Sequence, residues 1–149
     1  VSDRSEAVDA WEALYRAQVA VLRQLRTEFP DDGISLTEYD VLFNLSRQSG
    51  HALRIRDLNK HLLLTQPSVS RLLDRLVARG LVAKSDDPDD ARGTVVTLTA
   101  EGLAEFRRVG ARHSRSIAQK MTVLSPSELR DLTEISDKLR AGVPPTSPA

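Results

Sequence analysis

TQPSVSRLLDRLVARG, residues 65–80, decides how the rest of the chain is read. At 3.6 residues per turn, Val69, Leu72, Leu73, Leu76 and Val77 fall on one arc of a helix, and Ser68, Ser70, Arg71, Asp74, Arg75 and Arg79 fall on the opposite one. Thr65 suits the N-cap, since its hydroxyl can accept from an otherwise unpaired backbone N–H. Pro67 falls in the first turn, where its missing N–H costs little, and Gly80 suits the C-terminal stop. The apolar arc faces a core. The polar arc has small hydroxyls near the helix start, which let the backbone approach base edges, followed by arginines one turn apart. Arg71 could fork onto a guanine in the major groove of DNA while Arg75 and Arg79 reach phosphates. Taken alone, the same arc reads more readily as a solvated helix face, so the neighbouring segments decide.

The chain has 149 residues, 40% hydrophobic but only 4% aromatic, enough for one domain yet lean in the bulky residues that fill a self-sufficient core. An oligomer fits that composition. The absence of cysteine excludes disulfides, thiolate metal sites and thiol redox sensing. No apolar run approaches the roughly 20 residues a bilayer span needs, and VSDRSEAVDAW at the start carries no basic-then-apolar signal, so a cytoplasmic protein is expected, with no membrane partner. Net charge is zero, but it is unevenly spread. Arg54 to Lys84 carries seven Lys or Arg against Asp57 and Asp74, a net of +5 balanced by −5 elsewhere. That concentration around the proposed reading helix is the electrostatic footprint DNA binding requires.

In chain order, Ser5 to Phe29 predicts a long helix striped by Val8, Trp11, Leu14, Tyr15, Val19, Leu22, Leu25 and Phe29, broken by PDDG at 30–33. A second helix is expected over Thr37 to Gln48, capped by Ser35 or Thr37, with Glu38 or Asp40 three residues on. His51 to Ile55 suggests a short strand, and Arg56 to Leu63 a short helix with Leu58, Leu62 and Leu63 inward. Two helices joined by a tight turn, the second with an arginine-bearing face, make a helix-turn-helix pattern, although helical hairpins of ordinary bundles look similar. After Gly80 the pattern becomes extended, with LVAKS, a DDPDDARG loop and the β-branched Thr94 to Thr99. A hairpin directly after a reading helix is a wing, with Arg92 near its tip, where one guanidinium can enter a narrow minor groove. From Ala100 the chain returns to helix, with Leu103, Phe106, Val109, Ile117 and Met121 on one side. SPSE at 125–128 opens a last helix to about Arg140, striped by Leu129, Leu132, Ile135 and Leu139. The tail GVPPTSPA reads as flexible.

Three segments carry a family likeness: LTEYDVLFNLS at 36–46, LLLTQPSVSRLLDRLVARGLV at 62–82 and DARGTVVTLTAEG at 90–102. Together they resemble the MarR family of bacterial winged-helix transcription regulators, the last being similar to that family's wing signature. The fold so implied is mainly α with a small β-hairpin wing, a winged helix-turn-helix with long N- and C-terminal dimerisation helices. Residues 1–35 and 100–141 would form the dimerisation region, 36–99 the DNA-binding region and 142–149 a flexible tail. The resemblance implies a homodimer on a pseudo-palindromic double-stranded DNA operator, most often as a repressor, with the reading helix in a major groove and the wing in the flanking minor groove. Carried onto this sequence, Gln66, Pro67, Ser68 and Arg71 are base-facing, and Ser70 lies on the same polar arc. Arg92 is the wing arginine, Asp90 the acid that positions it, and Arg54, Arg56 and Arg75 are phosphate candidates. The wing departs from the family pattern in being acidic, with Asp86, Asp87, Asp89 and Asp90 against one arginine. These carboxylates repel a phosphate ribbon unless they point outward or pair with Arg92 and nearby bases.

The long apolar stripes of the terminal helices give dimerisation a basis of their own, because they exceed what a small reading domain can cover. Similar regulators respond to small aromatic or phenolic anions in a cleft between the dimer helices and the reading domain. Trp11, Tyr15, Arg16, Tyr39 and His113 could line such a cleft, rings stacking and cations receiving a carboxylate or phenolate. Enzyme readings find no footing: His51, His61 and His113 have no metal-ligand spacing, no Gly-rich phosphate loop occurs, and no serine lies in a G-x-S-x-G context. No catalytic residue, metal or cofactor is expected. The readings left beside DNA binding are a winged-helix protein interaction module or a ligand-binding module. The acidic wing favours the interaction module and Arg71 and Arg92 count against it, while the absence of any catalytic constellation counts against a small-molecule binding protein or enzyme built on the helical cleft.

Overall fold

The computed structural model describes residues 3–30, 33–62 and 64–145. Six helices and three strands occur among them: α1 (Arg4–Thr27), α2 (Leu36–Ser46), β1 (Ala52–Arg54), α3 (Ile55–Asn59), α4 (Gln66–Ala78), β2 (Val82–Asp87), β3 (Asp90–Leu98), α5 (Ala100–Lys120) and α6 (Pro126–Gly142). The molecule is mainly helical, with one antiparallel sheet in the order β1-β3-β2. The chain forms two compact units, residues 1–113 and 114–149, and α5 runs through the boundary. Among the described residues no helix is long and apolar enough to cross a membrane.

Local chemistry explains most of the boundaries. Ser35 caps α2 through a capping box, its hydroxyl accepting the Glu38 N–H at 3.1 Å while the Glu38 carboxylate accepts the Ser35 N–H at 3.4 Å. Of the two cap candidates, Ser35 takes the position. Ser125 and Glu128 repeat the arrangement at α6. Thr65 caps α4, and Gly80 at φ 73° ends it: the Leu81 N–H reaches Leu76 O at 3.0 Å and the Gly80 N–H reaches Val77 O at 2.9 Å, a Schellman motif.

Apart from shifts of one or two residues at helix ends, two segments differ from the sequence expectation. The helix expected over 56–63 is only the five residues of α3, since Lys60, His61 and Leu62 donate three residues back, at 3.0–3.4 Å, rather than four. Leu63, expected inward, lies outside the described residues, as do Asp31 and Asp32 of the expected break and the last four residues of the expected flexible tail. The DDPDDARG loop is largely strand: β2 continues to Asp87, β3 starts at Asp90, and only Pro88 and Asp89 turn between them.

The core of the first unit gathers Val41, Leu42 and Leu45 of α2, Leu58 of α3, Val69, Leu72, Leu73 and Leu76 of α4, Val96 of β3 and Val109 of α5. Four of the five residues on the apolar arc of α4 are buried. Val77 is the exception at 39% exposed, a correction to its expected inward place: one residue beyond Leu76, it sits at the edge of the arc as the helix turns away.

Behind α4 the chain is tied into a tight joint. The Thr99 hydroxyl donates to Gly80 O at 2.6 Å and accepts the Gly102 N–H at 2.9 Å, and the Thr99 N–H donates to Leu81 O at 3.1 Å. Gly102 is buried so close beneath this joint that an added Cβ would overlap the Leu81 carbonyl. Gly102→Ala is therefore expected to destabilise the chain at the upper end of overpacking effects, about 3 kcal/mol, because the obstructing atom is backbone and cannot rotate away. Urea denaturation checks this, and an unchanged midpoint would mean that α5 can shift without cost.

Candidate nucleic-acid interface

The capping geometry of α4 shapes its exposed first turn. Thr65 accepts the Ser68 N–H at 3.4 Å and donates to the Ser68 hydroxyl at 2.9 Å, so Ser68 is partly held, whereas Gln66, Pro67 and Ser70 are exposed. Gln66, Pro67 and Ser70, with Ile55 and Asn59 of α3, line a groove of ≈ 380 Å³. A second groove of ≈ 280 Å³ shares Ile55, Asn59 and Gln66 and continues past Arg54 and Arg56 to Asp87, Asp90, Arg92, Gly93 and Thr94 on the wing. One channel thus runs from the start of α4 to the base of the wing, and the sequence-predicted residues Arg54, Arg56, Gln66, Pro67, Ser70, Asp90 and Arg92 border it.

The basic segment divides into spent and unspent charge. Lys84 pairs with Asp74 at 2.6 Å, Lys60 with Asp57 at 3.1 Å and Arg79 with Glu38 at 3.8 Å, so the Arg79 expected to reach a phosphate is turned toward α2. Arg54 is taken up by two wing carboxylates, Asp87 at 2.5 Å and Asp89 at 3.2 Å. Arg56, Arg71, Arg75 and Arg92 are exposed, and none makes an ion pair among the described residues. The unspent cations sit on α3, on the polar arc of α4 and on the wing.

The wing is bent by a bulge. Asp87 pairs with Asp90 and Asp86 with Thr94, leaving residues 91–93 without partners across the ladder. A bulge re-aims the side chains it carries, and Arg92 is in the middle of this one. The Asp90 carboxylate accepts the Arg92 N–H at 3.0 Å, so it fixes the arginine through the backbone and leaves the guanidinium unpaired.

The five residues expected to line a ligand cleft fall into two groups. Trp11 and Tyr15, 61% and 56% exposed, have ring centroids 6.1 Å apart on α1, beside Arg16, which pairs with Glu12 at 3.5 Å. Tyr39 and His113 belong to an aromatic cluster: His113 lies edge-on to Tyr39 at 4.9 Å and to Phe29 at 5.1 Å, and Tyr39 stacks on Phe106 at 5.4 Å. Phe29 follows the end of α1, and Tyr15 is twelve residues before that end, about 18 Å along the axis. Within the single chain the two groups do not share a cleft.

A family model described as MarR family matches residues 32–93, the span from the start of α2 to the wing bulge. The transcriptional regulator PapX of Escherichia coli is 28% identical over 109 residues, 73% of this chain and 66% of PapX, so the chain spans just under two thirds of that relative. The fold matches Sco3205, a MarR family regulator of Streptomyces coelicolor solved in complex with DNA, with a TM-score of 0.80 and 26% identity over 98% of this chain and 92% of that one. The segment from α2 to the wing is thus similar to the MarR family, and the fold is that of solved MarR family regulators. Bordetella bronchiseptica BpsR, whose DNA binding is regulated by 6-hydroxynicotinic acid, matches with a TM-score of 0.71 and 27% identity over 91% of this chain and 98% of BpsR.

The wing has a feature the sequence reading missed, the partnership of Arg54 with Asp87 and Asp89. The acidic run was visible, and so was the need for a basic partner, but the strand register that brings β1 beside β3 was not. Asn59 and Thr94, which also line the channel, carried no signal, since neither lies in a charged or periodic pattern.

Burial holds the His113 imidazole below its ordinary pKa, with the Glu28 carboxylate opposing. The unfolded chain therefore takes up this proton first, so stability is full above about pH 6.5 and falls as the pH drops from there toward the folded-state value. Asp40 acts in the opposite sense. Burial raises its carboxyl, against the pull of Arg26, so its contribution grows as the pH falls through the carboxylate range. Melting temperature is expected to decline between about pH 7 and 6, less steeply in His113→Phe. Equal slopes for the two proteins would show that His113 titrates as freely folded as unfolded.

Proposed function

We propose that this chain is a sequence-specific double-stranded DNA-binding transcription regulator of the cytoplasm, a repressor that binds a pseudo-palindromic operator as a homodimer. The observation that carries the reading is the division of charge. Most of the basic segment is neutralised internally, while Arg56 and Arg92 line one channel with small polar groups and Arg71 and Arg75 are exposed on the polar arc of α4, none of the four in an ion pair among the described residues. Gln66, Pro67, Ser68, Ser70 and Arg71 face base edges, Arg56 and Arg75 take phosphates, and Arg92 enters the minor groove with Asp90 fixing its backbone. Sco3205, a structural relative solved with DNA, supports the same use of the fold.

Dimerisation is assigned to residues 1–35 and 100–141, DNA binding to 36–99, and the tail to 142–149. Exposed apolar side chains support it, with Val8, Trp11 and Tyr15 on α1 and Leu132, Ile135 and Leu139 on α6, a helix with no buried residue. Two half-sites read by one dimer supply the specificity that one short helix lacks. A small aromatic or phenolic acid is the proposed effector, lowering DNA affinity, as the regulation of BpsR by an aromatic acid suggests. The exposed Trp11, Tyr15 and Arg16 face it only with a second protomer completing the cleft, and Tyr39 and His113 form the protomer's own aromatic wall.

Selection of bound duplexes from a random pool, followed by titration at several salt concentrations, tests the reading. An enriched inverted repeat with half-sites about one helical turn apart and a steep salt slope is the expected result. Absence of enrichment would favour an interaction module instead. On the selected duplex, Arg71→Ala is expected to cost about 1 to 3 kcal/mol and relax preference at one base pair. Arg75→Ala should weaken all sequences alike and lower the salt slope by about one. A uniform loss from Arg71→Ala would move that arginine to the phosphate set.

A further inference from the structure

We propose that Arg54 is a positioning residue for the wing and not a phosphate contact: its grip on Asp87 and Asp89 sets where the bulge presents Arg92. The inference rests on the DNA-binding reading above.

Arg54 ends β1, and its register opposite Val95 sets its side chain alongside the wing. Its Nε is 2.5 Å from Asp87 Oδ2, and its Nη2 is 3.4 Å from Asp87 Oδ1 and 3.2 Å from Asp89 Oδ2. One guanidinium therefore bridges both ends of the Pro88–Asp89 turn. Asp87 Oδ1 also accepts the Asp89 N–H at 2.9 Å, which closes the turn on itself.

Burial separates the two carboxylates. The Asp87 side chain is 2% exposed and that of Asp89 is 79% exposed. Contact with the exposed Asp89 is weak and screened by water. Asp87 cannot be left alone, because a buried carboxylate deprived of its one cation among the described residues is strongly unfavourable. To reach a phosphate, Arg54 would have to abandon it. With two carboxylates on one guanidinium the cluster is net negative, which makes it a poor partner for a phosphate oxygen.

The bulge is built around the same carboxylate. Ladder pairing breaks between Asp86 and Asp87, opposite residues 91–93. A Cβ on Gly93 would stand 3.1 Å from Asp87 Cβ and 3.2 Å from Asp87 Oδ2, so the glycine lets the strand close over Asp87. Arg92 is the next residue back. Any shift of Asp87 moves the backbone that aims it.

The test measures affinity, salt slope and flanking-base preference on the selected duplex for Arg54→Ala, Arg54→Lys, Asp87→Asn and the Arg54→Ala/Asp87→Asn double variant, with Arg92→Ala as reference. Each single variant is expected to weaken binding, about tenfold for Arg54→Ala and Asp87→Asn, and the double variant no more than either, the mark of one shared network. The salt slope should stay at the wild-type value, and preference for A·T pairs in the flanks should be lost as it is in Arg92→Ala. A merely structural defect would not remove that preference selectively.

A phosphate role for Arg54 predicts other signs: Asp87→Asn would tighten binding by releasing the arginine, and Arg54→Ala would lower the salt slope by about one. Either result overturns the proposal, as does wild-type behaviour in all variants. If circular dichroism shows Arg54→Ala to be unfolded, Arg54→Lys decides. It keeps the charge but loses the two-point fork, so the expected result is lost flank preference at unchanged slope, and wild-type preference overturns the proposal. A wild-type chain that enriches no duplex overturns the DNA-binding reading and this inference together. Binding by the wild type with unaffected variants overturns this inference alone.

Discussion

A single hydroxyl, that of Thr99, holds the end of α4, the start of β2 and the first turn of α5 in one knot. It donates to Gly80 O and accepts from Gly102 N–H, while the Thr99 backbone N–H takes Leu81 O. The knot closes only because Gly80 turns the chain through a left-handed conformation and Gly102 has no side chain to strike the Leu81 carbonyl. Three directions are fixed at once: that of α4, that of the wing that follows it, and that of the first turn of α5. A reading helix free to swing relative to its wing could not present Arg71 and Arg92 at a constant separation.

The capped and punctuated parts of this architecture were legible in the sequence. Thr65, Pro67 and Gly80 bracket α4, and Ser125 with Glu128 opens α6, since a cap is local chemistry that the chain states in a few residues. The short α3 and the long wing strands were not legible. Asn59 to Leu62 carries no stop signal, yet Lys60, His61 and Leu62 donate three residues back and the α-helix ends at Asn59. DDPDD looks like loop by composition, yet it pairs as strand because Asp87 finds Arg54, a residue more than thirty positions away. Long-range pairing overrides local preference here, and composition cannot report it.

The candidate interface was legible to the same degree and for the same reason. Arg71 and Arg75 could be placed on a polar face by periodicity alone. Whether a cation on that face is spent or available depends on acids far away in sequence: Glu38 on α2 takes Arg79, and Asp87 on the wing takes Arg54. A count of basic residues gives +5 for the segment, but the usable charge is smaller and differently distributed. The ligand cleft fared worst, because its proposed members form two groups that do not meet within one chain, one on the exposed face of α1 and the other in the aromatic cluster around Tyr39.

The acidic wing then ceases to be an anomaly. Four carboxylates facing a phosphate ribbon would oppose binding, but they do not act as four equal charges. Asp87 is buried against Arg54, Asp89 shares the same guanidinium, and Asp90 accepts the Arg92 N–H. Only Asp86 has no such part in holding the hairpin together. Acids spent on shaping the turn leave Arg92 as the wing's unpaired cation among the described residues, carried on a bulge at the hairpin's end. The same economy bears on specificity. A wing with many lysines would grip any duplex through phosphates, whereas one guanidinium on an acid-braced bulge gains most where the minor groove is narrow and its negative potential strongest. On the proposed DNA-binding reading, the repulsion that the remaining acids retain would fall on every sequence alike, lowering non-specific binding and leaving the difference between sites to Arg92 and α4.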